Sequence, residues 1–374
     1  MQPRITYIIP SMRVGGTERQ LLYLMAGLAD EYEVNLICTN AGGAWIGEAR
    51  RTAARVNILE GHSGWDFRLQ RKIGALLRSH PPQIMHSFLF GFDLFANKAA
   101  RKISVPVILS SRRELAHWQK RRHLFMQRRA NRYVQAVVAN CEAVAADVRQ
   151  REQADESLVR VILNGLPVNE FQCNDSNSAL RERFGLPKEK HIIGMVANFS
   201  PVKDHRLFME MAFHLLEHRN DVHFVLVGSG PLVDDMGRLV RRRGYAEHFN
   251  RFATINEITE LHAVMDVALL CSQREGFPNA IMESMAMGKP VVAAAVGGVK
   301  ELVHDGETGR LVYTRDPKDF ANAVEACLEH PEEARRMGAA AAKWVRENLS
   351  VEQMVDRHRA LYHELLTQHM KGKR

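Results

Sequence analysis

Two glutamates eight positions apart, Glu275 and Glu283, frame the stretch of this 374-residue chain where residue types and spacing most clearly carry chemistry. Gly276, Phe277, Pro278 and Asn279 follow the first of them, and the apolar run Val267 to Leu270 just upstream reads as a strand. A strand, a glycine, a proline and then an apolar-periodic segment predict a helix opening near Pro278. A helix amino terminus presents unpaired N–H groups and partial positive charge. Gly276 allows close backbone approach, and a proline in the first turn removes no donor the helix needs. That combination suits a nucleotide diphosphate. Eight residues make about two helical turns, so both carboxylates can face one side. One carboxylate grips the vicinal hydroxyls of a ribose through two hydrogen bonds, the role for which Glu283 is placed. Glu275, at the loop, is then left for hydroxyls of a sugar.

The Glu-x7-Glu spacing inside Glu275-Gly276-Phe277-Pro278-Asn279 resembles the signature of glycosyltransferase family 4, the large class of retaining transferases with the GT-B fold. The likeness extends over nearly the whole chain. Gly15-Gly16-Thr17-Glu18 resembles a family loop whose glycine backbone approaches the donor phosphate or the acceptor. Asn164-Gly165 resembles the pair that closes the first domain. Gly228-Ser229-Gly230-Pro231 resembles a loop where small residues let the nucleotide lie against backbone, and Gly297-Gly298 with Glu301 resembles a turn near the donor. Gly194 to Asp204 resembles the stretch in which an Arg and a Lys hold the donor diphosphate. Lys203 matches; Asn198 stands where the family usually has the Arg, and an amide carries no charge for a phosphate. Arg274, beside Glu275, is either a replacement cation or a solvated side chain. In the first half, Arg112 occupies a position where many members have His, which suggests an acceptor-side cation together with Arg113. His86 matches a position that often carries His and is expected to face the reacting centre.

The resemblance implies transfer of a sugar from a nucleotide diphosphate sugar, UDP favoured and GDP possible, to a hydroxyl of a glycan or lipid-linked acceptor with retention at the anomeric carbon. It also implies no protein nucleophile, with Lys203, Glu275 and His86 at the reacting centre. No cofactor and no metal are expected, because no carboxylate pair resembles a metal-binding donor loop and His214 and His218 lack a completing carboxylate. A P-loop, a nucleophile elbow and the dinucleotide-binding glycine pattern are all missing. The open alternatives are a nucleotide-sugar epimerase or hydrolase of the same fold, or a degenerate sugar-nucleotide-binding module.

Such residues need parallel sheets to hold them. Short β-branched runs alternate with amphipathic segments from end to end, the pattern of βαβ units. The α/β reading is two doubly wound, Rossmann-like domains facing across a cleft: residues 1–165 on the acceptor side, 166–350 for the nucleotide sugar, and a final helix 351–374 returning to the first. The polar stretch from Asn164 to Pro187 reads as the linker. Residues 1–165 carry 24 Lys and Arg against 14 Asp and Glu, so the chain's net charge of +8 resides entirely there. The densest run, between Arg112 and Arg132, includes Arg121, Arg122, Arg128 and Arg129 interleaved with Trp118 and Phe125. It reads either as a solvated face or as a contact with an anionic membrane. No nucleic-acid motif accompanies it. Five scattered cysteines argue for reduced thiols. The short apolar amino terminus lacks a span or a signal-peptide pattern, predicting a cytoplasmic protein, peripheral on the membrane if the basic run touches it.

Overall fold

The computed structural model describes residues 2–40, 42–59, 67–88, 93–116, 119–173, 175–253 and 257–372. The chain divides into two compact units, one formed by Met1–Gly165 with Val351–Arg374, the other by Leu166–Ser350.

The first unit is built on seven parallel strands: β1 (Arg4–Ile9), β2 (Glu33–Cys38), β3 (Arg55–Ile58), β4 (Ile84–Phe88), β5 (Val107–Arg112), β6 (Ala136–Ala139) and β7 (Val159–Val161). Their order is β3-β2-β1-β4-β5-β6-β7. The central strands are buried on both faces, as parallel strands covered by helices on each side are, and each carries an apolar stretch: Tyr7-Ile8-Ile9, Ile84-Met85 and Val107-Ile108-Leu109. On one side Leu21, Leu24 and Met25 of the helix Gly16–Leu28 pack with Met354, Val355, Leu361 and Tyr362 of the helix Val351–Lys371. Gly27 makes that approach possible, since a Cβ there would run into Val355.

The second unit carries six parallel strands: β8 (His191–Val196), β9 (Val222–Val227), β10 (Phe249–Phe252), β11 (Val267–Leu270), β12 (Val291–Ala294) and β13 (Arg310–Val312), ordered β10-β9-β8-β11-β12-β13. Strand β10 is absent from the sequence reading. It is a four-residue edge strand, Phe-Asn-Arg-Phe, only partly buried, so no apolar run announces it. The stretch read as a linker also holds more structure than its polarity suggests. Ser176 caps a short helix, Asn177–Arg183, by accepting from the Ala179 amide, and Arg181 of that helix is tied to Asp266 at 2.9 Å.

In each unit the strand order reverses once, between β1 and β4 and between β8 and β11. Ligands of doubly wound sheets bind beyond the carboxyl ends of strands at such reversals.

Candidate functional site

In the second unit the reversal brings together the two loops singled out by their residues. The loop leaving β8 carries Asn198, which is exposed, then the helical turn Pro201–Lys203. Asp204 follows in the left-handed region, at φ 50°, and caps the helix His205–Leu216 by accepting from the Leu207 amide. The loop leaving β11 carries Glu275. Lys203 Nζ donates to Glu275 Oε1 at 2.5 Å, and Ser272 Oγ donates to the same oxygen at 2.5 Å. Residues 72 positions apart thus form one polar centre, with a quarter of the lysine side chain and a tenth of the glutamate's exposed.

A residue the sequence reading passed over fastens these loops. Arg315, just beyond β13, donates to the carbonyls of Cys271 and Ser272 and to the Asp204 carboxylate. Gln273 adds its amide to the Val202 carbonyl at 2.8 Å and its side chain to Asp204 at 3.3 Å. The only signal in the sequence is a lone arginine after a short strand, which by itself points nowhere.

Beyond Glu275, Gly276, Phe277 and Pro278 are buried, and the helix Asn279–Ala286 opens directly after Pro278. The Gly298 amide reaches the Glu275 carbonyl at 3.4 Å, so the turn at Gly297 and Gly298 abuts the same loop. Gly228 and Gly230 have a reason of their own. Both have positive φ, 147° and 153°, and a Cβ on either would strike the carbonyl oxygen of Ala197 or Phe199. Their small size first lets the loop after β9 close onto the loop after β8. Glu283 sits deeper than a hydroxyl-binding carboxylate on a helix face was expected to: it is 3% exposed, with Oε2 3.4 Å from His262 Nε2. Arg274 is partly buried beside Glu275.

In the first unit Gly15 caps the helix Gly16–Leu28 with extended backbone, directly after the loop from β1. His86 does not face an open site. It is fully buried, its Nδ1 2.7 Å from Tyr362 Oη and its Nε2 2.9 Å from Ser111 Oγ, and burial holds it neutral, well below the usual imidazole range. The helix Val351–Lys371 covers the face of β4 to which this side chain belongs, and a partner 276 positions away is invisible to local pattern.

Arg112 is also not an acceptor-side cation. It donates to Glu152 at 2.9 and 3.2 Å, to Asp93 at 3.0 Å and to Asn131 at 3.2 Å, and all three partners, two carboxylates and an amide, are buried. Burial opposes its charge, but Glu152 and Asp93 more than offset that and raise its pKa. The carboxylates are satisfied further by Ser87, Gln127 and Asn131, as a buried ion cluster requires. Arg113, the next residue, is also buried, but no carboxylate among the described residues pairs with it.

The basic run forms the helix Arg121–Asn131, with Arg121, Arg122, Arg128 and Arg129 exposed and Phe125 62% exposed. Trp118 lies outside the described residues. The helix Asp93–Lys102 packs between this helix and the helix Phe67–Ser79, and exposes Lys98, Arg101 and Lys102. The third helix exposes Arg68, Arg71, Lys72 and Arg78. A groove of about 620 Å³ between the last two is lined by basic side chains and no acidic one. The basic face is therefore broader than the run that announces it.

Among the described residues no group of His, Cys, Asp or Glu side chains is arranged to hold a metal ion, and no helix is long and apolar enough to cross a membrane. All five cysteines are free.

With this geometry established, comparison with known proteins places the chain. Residues 14–170 match the family model described as Glycosyltransferase Family 4, and residues 176–344 match Glycosyl transferases group 1. A D-inositol 3-phosphate glycosyltransferase of Catenulispora acidiphila is 30% identical over 52% of this chain and 48% of its own length. The alpha-D-kanosaminyltransferase of Streptomyces kanamyceticus is 28% identical over 80% of this chain and 79% of its own. Several of these curated relatives are thus matched over only about half their length. The fold of HepE from Anabaena, solved with UDP-glucose, superposes with a TM-score of 0.87 at 22% identity, covering 98% of this chain and 99% of that one. Two Rossmann-like units of the GT-B type, matched by family models through both halves, identify the chain as a member of glycosyltransferase family 4.

Proposed function

We propose that this protein transfers a sugar from a nucleotide diphosphate sugar to a hydroxyl of a glycan or lipid-linked acceptor, with retention, in the building of cell-surface polysaccharide or glycolipid. The observation that carries the reading is the meeting of Lys203 and Glu275 at the strand-order reversal of the second unit, next to the opening of the helix Asn279–Ala286. In this scheme Lys203 and the helix terminus stabilise the departing diphosphate, while Glu275 turns from the lysine to hydroxyls of the sugar. The bond from the anomeric carbon to the phosphate oxygen breaks, and a bond to the acceptor oxygen forms on the same face. The acceptor's proton passes to the departing phosphate, so no protein nucleophile is needed. Glu283 is assigned to the ribose, and Gly15, Gly16, Asn198, Gly228 and Gly230 to the walls around the donor. A uridine donor is favoured, in keeping with the UDP-glucose bound by HepE.

The test is a thermal-shift screen against UDP, GDP and ADP sugars, followed by donor turnover with each hit. Turnover in EDTA should equal that with added Mg²⁺ or Mn²⁺, since lysine and helix terminus supply the positive charge. Absence of any nucleotide-dependent stabilisation would overturn the reading.

The basic face of the first unit fits an anionic membrane carrying the acceptor. Phe125 offers an apolar body for the headgroup region amid Arg121, Arg122, Arg128 and Arg129. Each cation near such a surface contributes about 1 kcal/mol before screening by salt. Co-sedimentation with vesicles containing phosphatidylglycerol should be strong at low salt and fall steeply at high salt. Changing Lys120, Arg121 and Arg122 to Ser should weaken it about tenfold or more. Equal binding to neutral vesicles would leave the face as solvated surface.

A further inference from the structure

Arg113 is a buried cation. It is 9% exposed, and no carboxylate among the described residues forms an ion pair with it. Its Nη2 donates to Asn164 Oδ1 at 2.6 Å, its Nε has no hydrogen-bond partner, and its guanidinium lies over the ring of Phe88 at 6.0 Å from the centroid. Burial draws its pKa down to about 10, so it still carries its charge at neutral pH. The imidazoles it faces, His86 and His358, are held neutral by burial and by its own charge. The contrast with Arg112, surrounded by two carboxylates and an amide one residue earlier, is direct.

Placement gives this cation a meaning. Arg113 directly follows β5, Asn140 directly follows β6, Asn164 lies just past β7, and Phe88 ends β4. All are at the carboxyl edge of the first unit's parallel sheet, where such sheets bind ligands. Asn140 holds the Arg113 carbonyl through Nδ2 at 3.1 Å, and its own Oδ1 lacks a partner. A guanidinium kept here against the cost of desolvation, with unused donors, is preorganised for an oxyanion.

We propose that Arg113 binds an anionic group of the acceptor, a carboxylate or a phosphate, at the carboxyl edge of the first unit. This rests on the reading of the protein as a glycosyltransferase and narrows its acceptors to those bearing such a group. Arg113 is a binding residue that fixes where the acceptor sits.

The experiment measures orthophosphate and acetate binding by calorimetry and by thermal shift at matched ionic strength in chloride. Saturating UDP is present throughout, to keep the probes out of the donor site. Wild type should bind at least one of the two anions; orthophosphate alone points to a phosphate-bearing acceptor, acetate alone to a carboxylate. Arg113→Met should bind it at least about tenfold more weakly, and Arg113→Lys, which keeps the charge without the fork, should fall between. Lys203→Ala should respond like wild type. Arg113→Met should also be as stable as wild type in chloride or more so, because removing an unpaired buried charge relieves desolvation, whereas a structural arginine would cost stability when removed. Equal anion response in wild type and Arg113→Met, or no response in wild type, overturns the proposal. So does an Arg113→Met protein that fails to fold while Arg113→Lys behaves as wild type. Loss of the UDP response alone would instead count against the donor site.

Discussion

Lys203→Ala is expected to lower donor turnover, as kcat/KM, by about 10²- to 10³-fold, the scale seen when one preorganised donor to a developing negative charge is removed. The lysine side chain is 26% exposed and Glu275 is its one ion-pair partner among the described residues, so the fold should lose less than about 1 kcal/mol. The reading requires kcat to fall, because the diphosphate gains charge as its bond to the sugar breaks. Glu275→Gln should produce a loss of similar order while still accepting from Ser272. Steady-state kinetics beside a thermal melt separate the two contributions. A change smaller than about threefold in both folded variants would remove this centre from the reaction. Glu283 needs a gentler probe. At 3% exposure, its replacement by alanine would leave a void and an altered polar interior, so Glu283→Gln is the informative variant.

Arg112→Met should act on stability rather than on turnover. Removing this guanidinium strands Asp93 and Glu152, which are 1% and 5% exposed, and breaking a buried ion cluster from one side costs about 3 to 5 kcal/mol. For a unit of this size that is a fall of about 10 °C in the first unit's unfolding temperature, read by calorimetry as a transition distinct from that of the second unit. Adding Asp93→Asn and Glu152→Gln to the same chain should restore part of the loss, since the stranded charges are then gone. An unchanged melt with a raised acceptor KM would return Arg112 to the acceptor-side role that its position suggested.

These expectations divide along the line between local and non-local information. The alternating apolar runs gave two parallel sheets because strands buried on both faces carry, as a rule, a continuous apolar stretch, such as Tyr7-Ile8-Ile9 in β1, Val107-Ile108-Leu109 in β5 and Val267-Ala268-Leu269-Leu270 in β11. Where the rule fails, at the half-exposed edge strand β10, the sequence was silent. The helix after Pro278 was legible because its start depends on neighbours in the chain. Lys203 and Glu275 were each legible as chemical types, and the reversal between β8 and β11 brings them together.

What the sequence by itself determined is the α/β architecture and the residue types of the second unit's loops, because both follow from periodicity and short-range backbone rules. Which of the first unit's polar residues face solvent, ligand or core was decided by the tertiary structure alone. His86 is closed off by Tyr362 and Arg112 is neutralised by Glu152, partners 276 and 40 positions away, while adjacent Arg113 has no carboxylate partner among the described residues. Burial and charge compensation depend on which distant segments the packed sheet brings alongside, and three helices whose basic residues are scattered through the sequence become one basic face only when they lie side by side.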